Sequence, residues 1–501
     1  MKCTHRKKQK IRLWFLLNPK HLAEEVSRYG YTFSIKGFWK KYLLGISGIL
    51  LLCFFYQLQP FFIGMVLMVT ALLSPAVILL RYQSAYEQRR FLDVSNYLEQ
   101  LLYSFQRVPK IITALEDALI VFPEGNMHNF LLQTMENIQT KDVSGDVYEG
   151  AFTGLEEAYH CRRLVQAHAF LIKVERLGGD FTSAIKILLE DRQMWVSRVY
   201  ELAQERKVIG RNILISILLS AGICKVASLM LPKELMNPNH VLSQLVTAVF
   251  ITSGLLLWYL SQRRLKPDWL NDAPANEEEL KRLYTRITDW DPKKERKKTI
   301  KKLIVAAPIF LLCLYLKNVP LLLLSLAVGL WILVQPNVQL KQAKRRVTRE
   351  IDKAFPIWMM EISLLLQTEN VHNALAKSLE QAPYILRAEL TRMVEGIEQN
   401  PNSIRPYLDF MPWLDLPDVQ SALRLLYSMA EFGGEEQEKQ IEILVERNHR
   451  LLDKAERLAN EDSLAGIGAF ALIPMLTGSL KMMVDMGLLL VGLLELSKTI
   501  T

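Results

Sequence analysis

Cysteine is scarce. Cys3, Cys53, Cys161, Cys224 and Cys313 are the five in 501 residues, and no two form a CxxC pair. A disulfide-stapled scaffold and a zinc ribbon are thereby excluded, and the chain suits a reduced compartment. Sustained alternation of apolar and polar residues is also missing, so no β-sheet is expected. The chain lacks GxxxxGK[ST] and HExxH, and it has no nucleophile elbow or His-Asp-Ser constellation. These absences speak against a phosphate-loop nucleotide site, a zinc protease and the common serine hydrolases. The basic start, MKCTHRKKQKIRLWFLLNPK, has too short an apolar stretch for a cleavable signal peptide.

Long apolar runs are abundant. Half of the residues are hydrophobic, and they cluster at 42–58, 61–80, 209–231, 241–260, 303–316, 321–334, 464–480 and 482–496. A spanning helix needs about 17–25 mostly apolar residues, so the expectation is an all-α membrane protein with about eight transmembrane helices. The run at 303–334 reads as a hairpin broken at Lys317–Pro320. The last two runs are separated by Lys481 and interrupted by Asp485.

Positive charge is asymmetric. Lys36, Lys40 and Lys41 precede the first run, and Arg81, Arg89 and Arg90 follow the second. Arg206, Lys207 and Arg211 precede the third, and Arg263, Arg264 and Lys266 follow the fourth. The stretch KKERKKTIKK precedes the fifth, and Lys341, Lys344, Arg345, Arg346 and Arg349 follow the sixth. The positive-inside rule then places both termini and all long loops in the cytoplasm of a multi-pass protein of the cell membrane. This asymmetry accounts for the net charge of +9. KKERKKTIKK reads as a topology anchor that also favours anionic membrane lipid, and no nucleic-acid partner is expected.

The expected organisation is a cytoplasmic N-terminus (1–41), a transmembrane hairpin (42–80), a first cytoplasmic helical bundle (81–207) and a transmembrane pair (208–260). A basic linker (261–302), a second hairpin (303–334), a second bundle (335–462) and a C-terminal membrane segment (463–501) complete it. Both bundles are expected to be antiparallel. The order is a repeat. Ala114-Leu115 and Ala374-Leu375 are 260 residues apart, as are Cys53 and Cys313, and Pro60 and Pro320. Gly178-Gly179 and Gly433-Gly434 are 255 apart. Each glycine pair heads a long amphipathic run, with Phe181, Ala184, Ile185, Leu188 and Leu189 in one and Ile441, Leu444, Val445, Leu451 and Leu452 in the other.

A glycine pair is suited to a turn between helices, because glycine takes positive φ at little cost and often closes a helix. Asp180 can cap the following helix, and Glu435 and Glu436 suit the first turn of the other, where the dipole favours an anion. Acids beside the glycines would repel a phosphate. His160, Cys161 and His168 could share a helix face, but no third metal ligand is convincingly spaced; surface or core histidines are the plainer reading, and no metal is expected. Glu116-Asp117 reads as a solvated patch. Lys225 and Glu495 fall in apolar runs, where charge is a functional hypothesis by default. Lys225 is close enough to the outer end to snorkel, and Glu495 to the inner end.

With VERLGGDFTSAIKILLEDRQ and AEFGGEEQEKQIEILVERN, each leading toward an apolar run, the chain resembles the inner-membrane platform proteins of type II secretion systems and type IV pili. The resemblance is to the F-family domain, especially that of the tight-adherence (Tad) pilus branch, here with two domains in tandem. The resemblance covers roughly 42–260 and 303–497. It implies six-helix bundles in a non-enzymatic scaffold without a cofactor, with a hexameric secretion ATPase and pilin or pseudopilin subunits as partners and a homo-oligomer allowed. Its implied partner-contact or turn residues are Glu175, Gly178, Gly179, Asp180, Glu431, Gly433, Gly434, Glu435 and Glu436. Relatives often place an acid shortly before the glycine pair; here Glu175 and Glu431 stand at unequal distances from theirs. The alternative is a repeat-built membrane transporter, which would call for interrupted helices and polar residues at the midplane. A sensor would need larger outer loops.

Overall fold

The computed structural model describes residues 16–500 except 141–147, 149, 179–180, 231–239, 271–276, 316–318, 368, 381, 415 and 432–434. Every regular element among them is helical. In chain order they are α1 (Pro19–Ser27), α2 (Ile35–Phe55), α3 (Pro60–Arg107), α4 (Ile111–Val121), α5 (Asn126–Thr140) and α6 (Thr153–Tyr159). There follow α7 (Arg162–Leu177), α8 (Thr182–Met230), α9 (Val241–Arg264), α10 (Glu277–Thr288), α11 (Pro292–Tyr315) and α12 (Val319–Leu365). The last are α13 (Val371–Ser378), α14 (Tyr384–Gln399), α15 (Arg405–Leu408), α16 (Pro417–Glu431), α17 (Glu435–Leu464) and α18 (Ile473–Ile500).

The long helices join two kinds of sequence without a break. Pro60 opens α3 at a position where its missing N–H costs nothing. The helix then runs 48 residues, from an apolar half into one whose buried Phe91, Val94, Leu98, Leu101, Leu102 and Phe105 recur at helical spacing. At 1.5 Å per residue it is about 72 Å long, well beyond a bilayer. Helix α8 makes the same passage in reverse, over 49 residues from Thr182 to Met230.

Among the described residues five helical stretches are long and apolar enough to cross a membrane, which marks the chain as a membrane protein. They lie in Lys36–Phe55, Pro60–Arg107, Thr182–Met230, Val241–Arg264 and Gln440–Leu494. The hairpin expected at 303–334 lies partly outside the described residues, with α11 and α12 entering it from either side. The two runs expected as a pair at 464–480 and 482–496 fall instead within one candidate span, Gln440–Leu494. Helix α17 ends at a turn with Gly466 at φ +77°, a 3-10 turn spans Gly468–Leu472, and α18 continues unbroken to Ile500. Lys481 and Asp485 do not break it, because residues four apart share a helix face and here pair with each other.

The chain divides into two compact units. One comprises Met1–Ile172, Trp195–Asp272 and Asn460–Thr501, the other Lys173–Met194 and Ala273–Ala459. In the first, α3 packs along α4 and α9, and α18 lies on α9. Phe91 meets Trp195 edge-on at 4.8 Å between ring centroids. In the second, Phe355, Trp358 and Ile362 of α12 are buried with Leu386 and Leu390 of α14, Leu423 and Leu426 of α16 and Leu444 of α17. Each such side chain stabilises the unit by about 1.5–3 kcal/mol through apolar burial. The Trp358 indole N–H is buried without loss because it donates to Ser378 Oγ at 3.0 Å.

Candidate functional site

The first glycine pair ends a helix. Gly178 follows α7 at φ +66°, and its N–H donates to the Val174 carbonyl at 2.8 Å. That is a glycine C-terminal cap, available to other residues only at a steric cost. Gly179 and Asp180 lie outside the described residues, and Glu175 lies in the last turn of α7. In the second stretch Glu431 closes α16, exposed, and accepts a bond from the Tyr427 hydroxyl at 2.6 Å. That bond raises the Tyr427 pKa above its ordinary value. Gly433 and Gly434 lie outside the described residues; Glu435 and Glu436 open α17, their side chains likewise undescribed.

Both glycine stretches fall within the second unit, where the segment around Gly178 is tied to its neighbours by charge. Lys173 of α7 approaches Glu369 at 3.6 Å, and Glu369 also holds Lys377 at 2.6 Å. The Lys377 bond, aided by both cations, lowers the Glu369 pKa. Glu190 of α8 reaches His449 of α17 at 3.3 Å. The two helices that the glycine pairs launch therefore touch.

Within the first unit the same pairing continues. Asn460 Nδ2 donates to the Arg198 carbonyl at 3.5 Å. Further along, Ser216 Oγ donates to Ala471 O, Ser220 Oγ to Pro474 O at 2.6 Å, and Cys224 Sγ to Gly478 O at 3.5 Å. These partners are separated by 262, 255, 254 and 254 residues. The last three match the offset of 255 between the glycine pairs to within one residue. From Ser216 to Cys224, α8 thus runs parallel to the Ala471–Gly478 stretch within one residue of the repeat offset, while the Arg198–Asn460 contact lies seven residues off it. Ser216, Ser220 and Cys224 recur every four residues, so small polar side chains line the α8 face of the seam. Gly478 lets the α18 backbone come within reach of their donors.

The seam ends in a buried polar cluster. Lys481 (2% exposed) and Asp485 (4%) pair on α18, and Ser243 of α9 donates to the other Asp485 oxygen at 3.1 Å. Lys225 (8% exposed) does not snorkel as expected. Its ammonium lies 5.2 Å from the Phe55 ring centroid and 5.7 Å from that of Tyr56, and Lys481 lies 5.7 Å from the same tyrosine. Rings within about 6 Å compensate part of the lost hydration of such a cation. The Tyr56 hydroxyl donates to the Ala221 carbonyl at 2.6 Å. Gln244 secures the adjacent α2–α3 turn, donating to Gln57 O at 3.1 Å and accepting from Gln59 N–H at 3.0 Å. Gln57 holds a left-handed φ of 54°, and these two bonds fix the turn that requires it. Sequence reasoning took Lys481 and Asp485 for a break between spans. Their spacing of four within an apolar run was the available signal.

The remaining candidates are structural. His168 (1% exposed) lies in the core of the first unit between Tyr97 and Glu156, stacked on Phe152 at 4.0 Å. His160 ends α6 in the left-handed region, and Cys161 is buried. No group of three His, Cys, Asp or Glu poised for a metal occurs among the described residues. Asp117 accepts from Ser104 and from Arg107 (2.6 Å), so it pins α4 to α3 rather than forming a free acidic patch. The Glu495 side chain lies outside those described. No family model, curated protein or solved structure matches this chain.

Proposed function

We propose that the chain is a non-enzymatic platform of a type II secretion or Tad-like type IV pilus assembly machine. It couples a hexameric cytoplasmic secretion ATPase to the assembly of pilin or pseudopilin subunits. The observation that carries this reading is the parallel pairing of α8 with the start of α18 at the offset of the sequence repeat. Two helical bundles facing the cytoplasm would each feed one of these helices. A helix that continues from a soluble segment into an apolar one is a physical route by which displacement of its soluble end could reach the membrane, and within the first unit α8 and α18 are bonded at three successive turns of α8. The resemblance in the glycine-headed stretches points the same way. Gly178 and Glu431 then mark helix ends open to a partner, and no catalysis is assigned to them.

The inside orientation of the N-terminus follows from the flanking Lys and Arg residues. One crossing at the C-terminal end in place of two, with the 303–334 hairpin counted as the sequence suggests, makes the number of crossings odd. The last residues of α18 then face away from the cytoplasm, opposite to the expectation that both termini lie inside.

The transporter alternative draws on a specific observation, the buried cluster of Lys225, Lys481 and Asp485. Co-purification decides between them. Full-length chain taken from its native membrane should carry a secretion ATPase and pilin-type subunits, and disruption of the turns at Gly178-Gly179 or Gly433-Gly434 should release the ATPase while leaving helix content unchanged. A chain that carries neither partner overturns the platform reading, and substrate-dependent flux in liposomes would favour the transporter.

A further inference from the structure

We propose that α11 and α12 of the second unit form a docking surface for anionic glycerophospholipid headgroups. Lys293, Lys297 and Lys301 recur every four residues along α11 and are exposed. They make one face, and Ile304 and Val305, 65% and 76% exposed, extend it beyond the last lysine. Helix α12 repeats the pattern in the opposite direction. Exposed Leu330, Trp331, Val334 and Val338 give way to exposed Lys341, Lys344 and Arg345. Lys302 Nζ bonds Gln335 Oε1 at 3.3 Å and so sets the two helices side by side with their cations at matching depth.

Neighbouring cations are already engaged, Lys298 by Glu295 at 2.6 Å and Arg346 by Glu279. Lys293, Lys297, Lys301, Lys341, Lys344 and Arg345 have no carboxylate partner among the described residues. From Lys293 to Lys301 the ladder rises about 12 Å. That depth covers a headgroup layer and most of a Debye length of about 8 Å outside it. A cationic ladder continuing into an exposed apolar stripe on the same helix pair matches one amphiphile: a phosphate-bearing headgroup on acyl chains. A soluble polyanion would leave the apolar stripe unmatched.

The test uses the full chain in nanodiscs of equal phosphatidylcholine and phosphatidylglycerol, with retained lipid counted by native mass spectrometry. Phosphatidylglycerol should be retained several-fold over phosphatidylcholine, and high salt should reduce the preference. The combined Lys293→Gln, Lys297→Gln, Lys301→Gln, Lys341→Gln and Arg345→Gln variant should abolish it, while Lys→Arg at the four lysines should keep it. Equal retention of the two lipids, a preference indifferent to salt, or one that survives in the folded Gln variant would overturn the proposal. So would capture of an acidic protein on this surface without lipid preference. No ATPase or pilin enters the measurement, so its outcome is independent of the platform reading.

Discussion

Gly478 lies against Ser220 with no room for a side chain. A Cβ there would overlap the Ser220 hydroxyl and stand 3.1 Å from Cys224 Sγ. The hydroxyl cannot swing aside freely, because it donates to the Pro474 carbonyl at 2.6 Å. Gly478→Ala should therefore destabilise the seam by about 1–3 kcal/mol, the usual cost of overpacking. Adding Ser220→Gly should recover part of that loss. Unfolding midpoints of the purified chain in detergent measure both. A Gly478→Ala variant as stable as the parent would mean that the helices do not approach this closely.

The buried pair on α18 carries a prediction with a different signature. Asp485 accepts from both Lys481 and Ser243, so Asp485→Leu strands a buried cation and leaves a hydroxyl unpaired. Loss of one partner of a buried ion pair costs about 3–5 kcal/mol, whereas replacing both with apolar groups of similar volume is often near neutral. Lys481→Met with Asp485→Leu should thus be more stable than Asp485→Leu alone. Equal destabilisation in the single and double variants would assign the cost to packing.

The general character of the fold was legible in the sequence because helix periodicity and apolar run length are local properties. Pro60, the buried ladder from Phe91 to Phe105 and the glycine cap at Gly178 all follow from neighbours in the chain. What was not legible depends on distant partners. Lys481 and Asp485 look like an interruption until their spacing of four is taken as a helix face. Lys225 looks free to snorkel until the rings of Phe55 and Tyr56 are placed over it. The repeat offset was visible, but nothing local says that counterparts at that offset face each other. That relation depends on Ser216, Ser220, Cys224 and Gly478 together.

A single α18 has a topological consequence. A reporter fused after Thr501 should lie on the side opposite one fused before Met1. Thiol-labelling of single cysteines at the two ends, in a background without the five native ones, reads the same difference. Equal protection of both ends would restore the pair of crossings that the sequence suggested.

His168 makes the stability of the first unit depend on pH. Tyr97 OH donates to Nε2 at 3.0 Å, and Nδ1–H donates to Glu156 Oε1 at 2.8 Å, an arrangement that uses both nitrogens of the neutral ring. Burial holds the His168 pKa below its ordinary value of 6.5, although Glu156 pulls the other way. The unfolded imidazole therefore takes its proton at a higher pH than the folded one. Well above about pH 6.5 neither state is charged and the contribution is complete; as pH falls through the unfolded value toward the folded one, the unfolded state binds more protons and stability is lost. Asp93 and Glu87, whose pKa values burial raises above their ordinary ones, change stability in the opposite sense. The comparison should therefore be made with His168→Gln, which removes only the imidazole titration. Urea unfolding of the full chain in detergent, from about pH 7.5 to 5.5, should find the parent losing stability relative to that variant as pH falls. Parallel profiles across this range would mean that His168 does not titrate differently in the folded and unfolded states.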